Sequence, residues 1–448
     1  MTTAADMAKP EKVEGINSRL VATMLVTRVV DDGRNIDALC DRQHGLRAFL
    51  SLNDRDQSLA RAMAITALRN RNRIDFVFRK LMNRPLPKNA RFLINALHIA
   101  SAQILFMDVP DRAAVNIAVS AIGNDRRTSR FKSLANAVLR RMTREKEELL
   151  QASEAASPFP NWLTKMLRSN YGKENMLRVA QAITNPAALD ITVKSDAEIW
   201  AKKLDGRLLA TGSIRLNSTK PVSELEGYQD GEWWVQDAAA ALPARMIDIE
   251  KGSDVLELCA APGGKTAQLA AAGYAVTAVD ISQPRLARLK ENLERLKLSA
   301  DVVEADILEW SPDKEFDAVL LDAPCSSTGT MRRHPDTLWA KKHEDISQLA
   351  NLQFELVQRA ATYLKPGGQL VFSNCSILKE EGENLIHRIL QACPDLSISP
   401  IAEDTIPGTS EMINGQGAIR SLPFHLTNEA CPQMGGLDGF FACRFAKA

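Results

Sequence analysis

No stretch of this 448-residue sequence approaches the roughly 18 consecutive apolar residues of a membrane-spanning helix, which excludes a helical membrane protein. The opening segment MTTAADMAKPEKVEG is too polar for a secretory signal, so a cytoplasmic protein with no membrane partner is expected. Cysteine is scarce and scattered: Cys40, Cys259, Cys325, Cys375, Cys393, Cys431 and Cys443 include no Cys-x-x-Cys pair and lie near no pair of histidines. An odd number without metal-ligand spacing argues against a disulfide framework and against structural zinc; free thiols and no metal are the expectation. Also missing are a Gly-x-Gly-x-x-Gly fingerprint and a full Walker loop. With 45% hydrophobic and 25% charged residues, the chain is ordinary globular material, long enough for two or three domains.

The net charge of +1 conceals an asymmetry. The first 150 residues hold 26 Lys and Arg against 16 Asp and Glu, a net +10, and the remaining 298 carry a net −9. Basic residues are densest from Arg61 to Arg144, with Arg69, Arg71, Arg73, Arg79, Lys80, Arg84, Lys88 and Arg91, then Arg126, Arg127, Arg130, Lys132, Arg140, Arg141 and Arg144. So few carboxylates balance this stripe that it reads as a footprint for a phosphate backbone, the plainer alternative being a solvated helix face.

Three regions follow one another. Residues 1–150 have helical periodicity throughout, as in Leu93, Leu97, Ala100 and Ile104 on one face, and predict an all-α bundle of five or more helices. The small, polar, proline-ending QASEAASPFP reads as a linker, opening a region 151–234 with a helix near Trp162–Ala182 and short runs ALDITV and SIRLN, a small α+β element. From Val235 onward, to residue 448, strands and helices alternate: DVLELC, YAVTAVD, ADVVEAD, FDAVLLDA and GQLVFSNC, with helices from Thr266, Gln283, Ile346 and Gly382. That order predicts an α/β, Rossmann-like, mostly parallel doubly wound sheet whose ligands sit at the carboxyl ends of the strands. The segment Gly435–Phe445 reads as a closing hairpin strand.

The chemistry-bearing motifs all fall at those strand ends. Cys259-Ala260-Ala261-Pro262-Gly263-Gly264-Lys265 joins the first strand to its helix, where small residues allow backbone to approach a ligand closely. Asp280 closes the second strand about twenty residues on, the place of an acid that accepts from a ribose diol. Asp306 closes the third, where its carboxylate or neighbouring backbone can meet an adenine amino group. Together these suggest an adenosine-bearing cofactor; their spacing alone does not choose between nicotinamide dinucleotide and S-adenosylmethionine. Asp322-Ala323-Pro324-Cys325 at the fourth strand decides for the latter, since an acid followed by Pro and a polar residue is the arrangement of enzymes that methylate a base.

Fifty residues after Cys325, following Lys365-Pro366-Gly367-Gly368, the next strand ends at Asn374-Cys375-Ser376. Cysteine is both a strong nucleophile and a good leaving group, so two of them delivered by strand ends point to covalent chemistry. Cys40, Cys393, Cys431 and Cys443 lack such contexts and read as small core hydrophobes.

On VQDAAAALP, LCAAPGGKT, LLDAPCSSTGTMRRHPD, LKPGGQLVFSNCS and the terminal DGFFACRF, the C-terminal domain resembles the RNA cytosine-C5 methyltransferases of the NOL1/NOP2/Sun group. The N-terminal bundle is similar to the RNA-binding NusB fold, with SLANAVLRRM as its best local match. This resemblance implies S-adenosylmethionine as cofactor, held by residues 259–265, Asp280, Asp306 and Asp322. It implies RNA as partner, 16S rRNA first, through methylation of the type made at cytosine 967, with no obligate protein partner. Cys375 would add to C6 of the cytosine, Cys325 would assist product release, and Asp322 would hydrogen-bond the ring near N3 or its amino group. Arg332, Arg333 and His334 would approach phosphates or the target strand, with Arg69, Arg71, Arg73, Arg140 and Arg141 as further RNA contacts; a salt-bridge role for Arg332 or Arg333 is equally open. DNA cytosine-C5 enzymes lack the second cysteine motif, which favours RNA. One departure stands out: the group usually has Thr where this chain has Asn374, which bears on how Cys375 is positioned. Transfer RNA or 23S rRNA as substrate, or a non-catalytic RNA-binding assembly factor, remain alternatives at the level of sequence.

Overall fold

The computed structural model describes residues 16–448 except Gln43, Thr219, Asp404 and Glu429, so the polar opening segment lies outside the described residues. The chain divides into two compact units, one comprising residues up to Asn161 together with His334–Lys341, the other Trp162–Arg333 and Lys342–Ala448.

The first unit is helical, with its longer helices at Ile16–Asp32, Asp54–Arg69, Arg71–Leu81, Arg91–Phe106, Asp111–Asn124 and Lys132–Arg144. Asn53 caps the second of these by accepting the Asp56 N–H, satisfying one of the donors that a helix start leaves unpaired. The periodicity of Arg91–Phe106 predicts one apolar face, but the structure buries almost the whole helix, polar residues included. It tolerates this because the larger polar groups find partners, while the Ser101 hydroxyl is left without one. Arg71 donates to Asn95 Oδ1 at 3.1 Å, Asn95 donates to Thr27 at 3.0 Å, and Gln103 accepts from Arg19 at 2.7 Å. The segment read as a linker is not one in its first part: helix Lys146–Ser153 takes its opening residues. Further on, Phe159 is wholly buried and the Asn72 amide donates to the carbonyls of Ser157 and Phe159. A late stretch of chain joins this unit as well. There the Trp339 indole donates to Leu68 O at 2.8 Å, and buried Asp336 accepts the Ile36 N–H at 3.0 Å.

The second unit opens with helix Asn161–Ala182, broken at Gly172. A small antiparallel sheet follows, built of β1 (Leu189–Val193), β2 (Arg207–Leu208), β3 (Ile214–Leu216) and β4 (Trp233–Val235) in the order β2-β3-β1-β4. Ile191, Ile214, Leu216 and Trp233 pack with Trp200 of helix Ala197–Lys203 into its core. The ALDITV and SIRLN runs are its two inner strands.

The larger sheet contains β5 (Asp254–Leu258), β6 (Ala275–Asp280), β7 (Asp301–Glu304), β8 (Phe316–Asp322), β9 (Leu364–Asn374), β10 (Leu396–Ile398), β11 (Ile419–Ser421) and β12 (Phe440–Lys447). Its order is β10-β12-β9-β8-β5-β6-β7, with β11 also on β12. The five strands from β7 to β9 run parallel, while β12 pairs antiparallel with β9 and carries β10 and β11. Buried on both faces, the parallel strands are near-continuous apolar runs, as in Ala318–Leu321. Helix Gln283–Leu296 presents Leu286, Leu289, Leu293 and Leu296 inward, the face expected of it. Chain order reverses direction between β5 and β8, so a crevice opens at the carboxyl ends of these two strands.

Candidate functional site

The turn after β5 is shaped by backbone. Gly263 takes φ 100° as it enters helix Gly264–Ala271, and a Cβ there would meet Leu289 at 2.9 Å, so the loop closes against its neighbouring helix only with glycine. Asp280, at the end of β6, is buried. Its Oδ2 accepts the Ala261 N–H at 3.1 Å and its Oδ1 the Ser282 N–H at 2.9 Å. The exposed Arg285 guanidinium lies 3.3 Å from Oδ2 as well, and the carboxylate, with about four lone-pair positions, keeps acceptor capacity for a further hydroxyl. Cys259 lines the same crevice, but burial and the nearby Asp280 push its thiol up to about 12; it is wall rather than reagent. Asp306 lines it too, while its carboxylate accepts the Leu308 N–H at 3.0 Å; it is turn residue and cleft residue at once.

The cleft, about 530 Å³, holds Cys259, Asp280, Asp306, Asp322, Cys325 and Cys375 together, six of the residues singled out by sequence. Sequence reasoning missed its apolar walls. Ile281 is 65% exposed and Leu308 39%, each placed directly after or near a strand-end acid, with Ile307, Leu352 and Leu356 behind them. Large aliphatic side chains in water beside a polar cleft mark a surface for a flat apolar group. The signal in the sequence is the repeated pattern of acid then aliphatic, Asp280-Ile281 and Asp306-Ile307-Leu308.

Lys265, otherwise buried, reaches Asp322 Oδ2 at 2.7 Å, and Ser373 donates to Asp322 Oδ1 at 3.1 Å. Behind them Glu257 on β5 is fully buried and accepts from Thr266 at 2.5 Å; burial pushes its carboxyl up to about 8.

The two cysteines stand with their sulfurs 3.4 Å apart, at the ends of adjacent strands β8 and β9. The loop carrying Cys325 is pinned to the other: Gly329 N–H donates to Cys375 O at 2.8 Å, an approach so close that a Cβ on Gly329 would lie 1.8 Å from Gly439 O. The pair is unequal. The hydrogen bond between the two sulfurs, which either can donate, holds the Cys375 thiol below its usual range with help from Ser327 and Lys265 against burial. Cys325 is held well above, by that same hydrogen bond and by burial. Two sulfurs this close share a proton more readily than both lose one, and their surroundings favour Cys375 as the one that ionises.

Several basic residues expected to face RNA are held by internal partners. Arg333 pairs with Asp237 at 2.5 Å and Asp438 at 3.3 Å. Buried Arg332 donates to Gly435 O at 2.9 Å. Three buried carboxylates, Asp190, Asp237 and Asp438, require counter-charge, and Arg215 and Arg333 supply it, the former bidentate to Asp190 at 2.7 Å. In the helical unit Arg71 is buried above Trp339, and Arg73 is half-buried on Ser153 and Phe106. His334 pairs with Asp37 at 3.1 Å. Arg69 is half-buried, whereas Arg79, Lys80, Arg84, Lys88, Arg91, Arg126, Arg127, Arg130, Lys132, Arg140, Arg141 and Arg144 remain exposed.

A family model described as 16S rRNA methyltransferase RsmB/F matches residues 244–446, and a NusB family model matches residues 16–144. The ribosomal RNA small subunit methyltransferase B of Cronobacter sakazakii is 32% identical over 419 residues, 89% of this chain and 96% of that protein. Among solved structures, PH0851 superposes with a TM-score of 0.69 at 21% identity, over 98% of this chain and 100% of that one. A methyltransferase homolog protein from Pyrococcus horikoshii gives 0.53 at 24% identity, over 65% of this chain and 96% of that one.

Proposed function

Because the chain belongs to the 16S rRNA methyltransferase RsmB/F family, we propose that it methylates C5 of a cytosine in 16S rRNA through a covalent adduct at Cys375. S-adenosylmethionine, when bound, supplies an electrophilic methyl group to C5. The residues present fit it: Asp280 has acceptor capacity left for a ribose hydroxyl, Ile281 and Leu308 offer apolar faces to an adenine, and the turn at residues 259–265 leaves backbone open to approach.

Cytosine C5 is too weak a nucleophile to react unaided. The Cys375 sulfur gives its electron pair to C6, the C5=C6 π pair moves to the C4–C5 bond, and the C4=N3 π pair moves onto N3. Asp322, with Lys265 beside it, meets the N3 and amino edge where that charge collects. The resulting enamine makes C5 reactive. Once C5 carries the methyl, loss of its proton returns a pair to C5=C6 and expels the Cys375 sulfur, a release that Cys325 assists. The observation that carries this reading is the pair of sulfurs 3.4 Å apart at adjacent strand ends, in one cleft with Asp322. The exposed basic residues of the helical unit are the proposed RNA contacts.

Cys375→Ala should abolish turnover with cofactor affinity nearly unchanged, while Cys325→Ala should accumulate a denaturant-resistant protein–RNA band. A dead Cys325→Ala enzyme beside an active Cys375→Ala one would reverse the roles. For the substrate, bisulfite sequencing of total RNA from a deletion strain should show loss of 5-methylcytosine at position 967 of 16S rRNA. Loss at a transfer RNA or 23S site instead would redirect the assignment.

A further inference from the structure

Each catalytic cysteine is followed by a serine, Ser326 and Ser376, and both serines are wholly buried. Their hydroxyls converge on one carboxylate, Glu381, at 2.5 and 2.6 Å. The Ser326 backbone N–H donates to it at 2.8 Å. The Gln353 amide, from helix His343–Ala361, donates to it at 3.0 Å and to Pro324 O at the same distance. Glu381 is itself fully buried, and its backbone carbonyl accepts from Asn374 at 2.5 Å. The Asn374 Oδ1 in turn accepts the Ser376 N–H at 3.0 Å. Ser326 and Ser376 are thus tied directly to the Glu381 carboxylate, Asn374 to its backbone carbonyl, and Pro324 to it through Gln353.

A hub of hydrogen bonds does not need a charge. An amide or hydroxyl would be cheaper to bury, since an ionised carboxylate loses far more hydration. Four donors aimed at two oxygens, however, match an acceptor-only carboxylate and no neutral group of that size. The Arg420 guanidinium donates to Ser376 O and pairs with Glu383 at 2.6 Å. A fixed negative charge at this place opposes ionisation of Cys325, in the same direction as burial and the Cys375 sulfur.

We propose that Glu381 is the positioning residue that assigns the two cysteines their roles: it clamps both loops through Ser326 and Ser376, and its charge keeps the proton on Cys325, leaving Cys375 as nucleophile. This rests on the covalent reading of the site given above. Glu381 touches neither base nor cofactor in this scheme. It acts through the serines and through the field at Cys325.

The test uses the full chain and Glu381→Gln, which preserves size, removes the charge and turns an amide donor toward existing donors. Iodoacetamide labelling at neutral pH, followed by peptide mass spectrometry, reads the rates at Cys375 and Cys325 without RNA. In the wild type Cys375 should label at least about tenfold faster; in the variant the ratio should fall toward one. Steady-state kinetics should show kcat reduced by about tenfold or more, with KM for RNA and affinity for S-adenosylmethionine within about twofold. A structural role alone would not move the labelling ratio. A wild-type ratio, or an unchanged kcat, in Glu381→Gln overturns the proposal. If that variant does not fold by circular dichroism, Ser326→Ala and Ser376→Ala each remove one donor and are read by the same ratio, which must fall in both. Turnover surviving in Cys375→Ala is a different result, since it defeats the covalent reading itself.

Discussion

The Lys265 ammonium lies 2.7 Å from the Asp322 carboxylate, joining the turn after β5 to the end of β8. That bond joins two walls of one crevice, and its positive end also favours the thiolate of Cys375. Removing the charge should raise the Cys375 thiol. Because the nucleophile must be deprotonated, activity rises as pH passes through its titration. The rising limb of kcat against pH in Lys265→Met should therefore move to higher pH than in wild type. A limb that stays in place would detach Lys265 from the nucleophile.

Asp280 holds two backbone N–H groups, faces the Arg285 guanidinium at 3.3 Å and lines the cleft. Asp280→Ala should weaken S-adenosylmethionine binding by about tenfold or more, about 1.4 kcal/mol, by isothermal titration. RNA affinity measured without cofactor should not change.

Glu257 should make stability depend on pH. Its folded carboxyl is pushed up to about 8 from an ordinary 4.5. Between those values the unfolded chain releases a proton that the folded chain keeps, so this group's contribution is fully present below about 4.5 and is lost as pH rises through about 8. Glu257→Gln cannot ionise. Its Tm should fall less than that of wild type over this window, and parallel Tm profiles would show that Glu257 does not titrate there.

The helical unit separates electrostatic from structural arginines. Replacing exposed Arg79, Lys80 and Arg84 by Ala should weaken RNA binding and shallow its salt dependence, by about 0.7 to 0.9 in log–log slope for each phosphate no longer neutralised. Arg71→Ala should leave that slope alone. Its cost, on the order of 1–3 kcal/mol, should appear in thermal unfolding, because it strands Asn95 in the core and empties the space over Trp339.

Strand-end chemistry was legible because it is local. A glycine turn, two acids and two cysteines each follow a run of apolar residues, and the parallel order of those runs brings their ends together without further information. Ile281 and Leu308 were hidden, since an aliphatic residue after a strand reads as core until the fold leaves it in water. Glu381 was hidden for the opposite reason: Lys-Glu-Glu-Gly-Glu looks like a solvated charge run, and only the pairing of β8 with β9 closes two serines over one of its acids. Arg333 misled in the same way, because its partner carboxylates come from 96 and 105 residues away. Composition reports how many charges a segment has, and long-range packing decides which of them meet solvent. The part played by Asn374 is likewise intelligible only in three dimensions, where its amide bridges Glu381 and Ser376.

The return of His334–Lys341 to the helical unit makes that unit discontinuous in sequence. A single cut therefore cannot separate two whole folding units. A chain shortened to begin after residue 150 would keep Leu338 and Trp339 but lose the core that covers them, together with Leu68 and Ile36, whose backbone groups engage Trp339 and Asp336. The isolated bundle, ended near Asn161, would lack an indole that its own interior accommodates. In a cell the same threading sets an order of synthesis: the helical unit waits on more than 170 further residues before its last piece leaves the ribosome, so its packing is completed only after much of the catalytic sheet has been made.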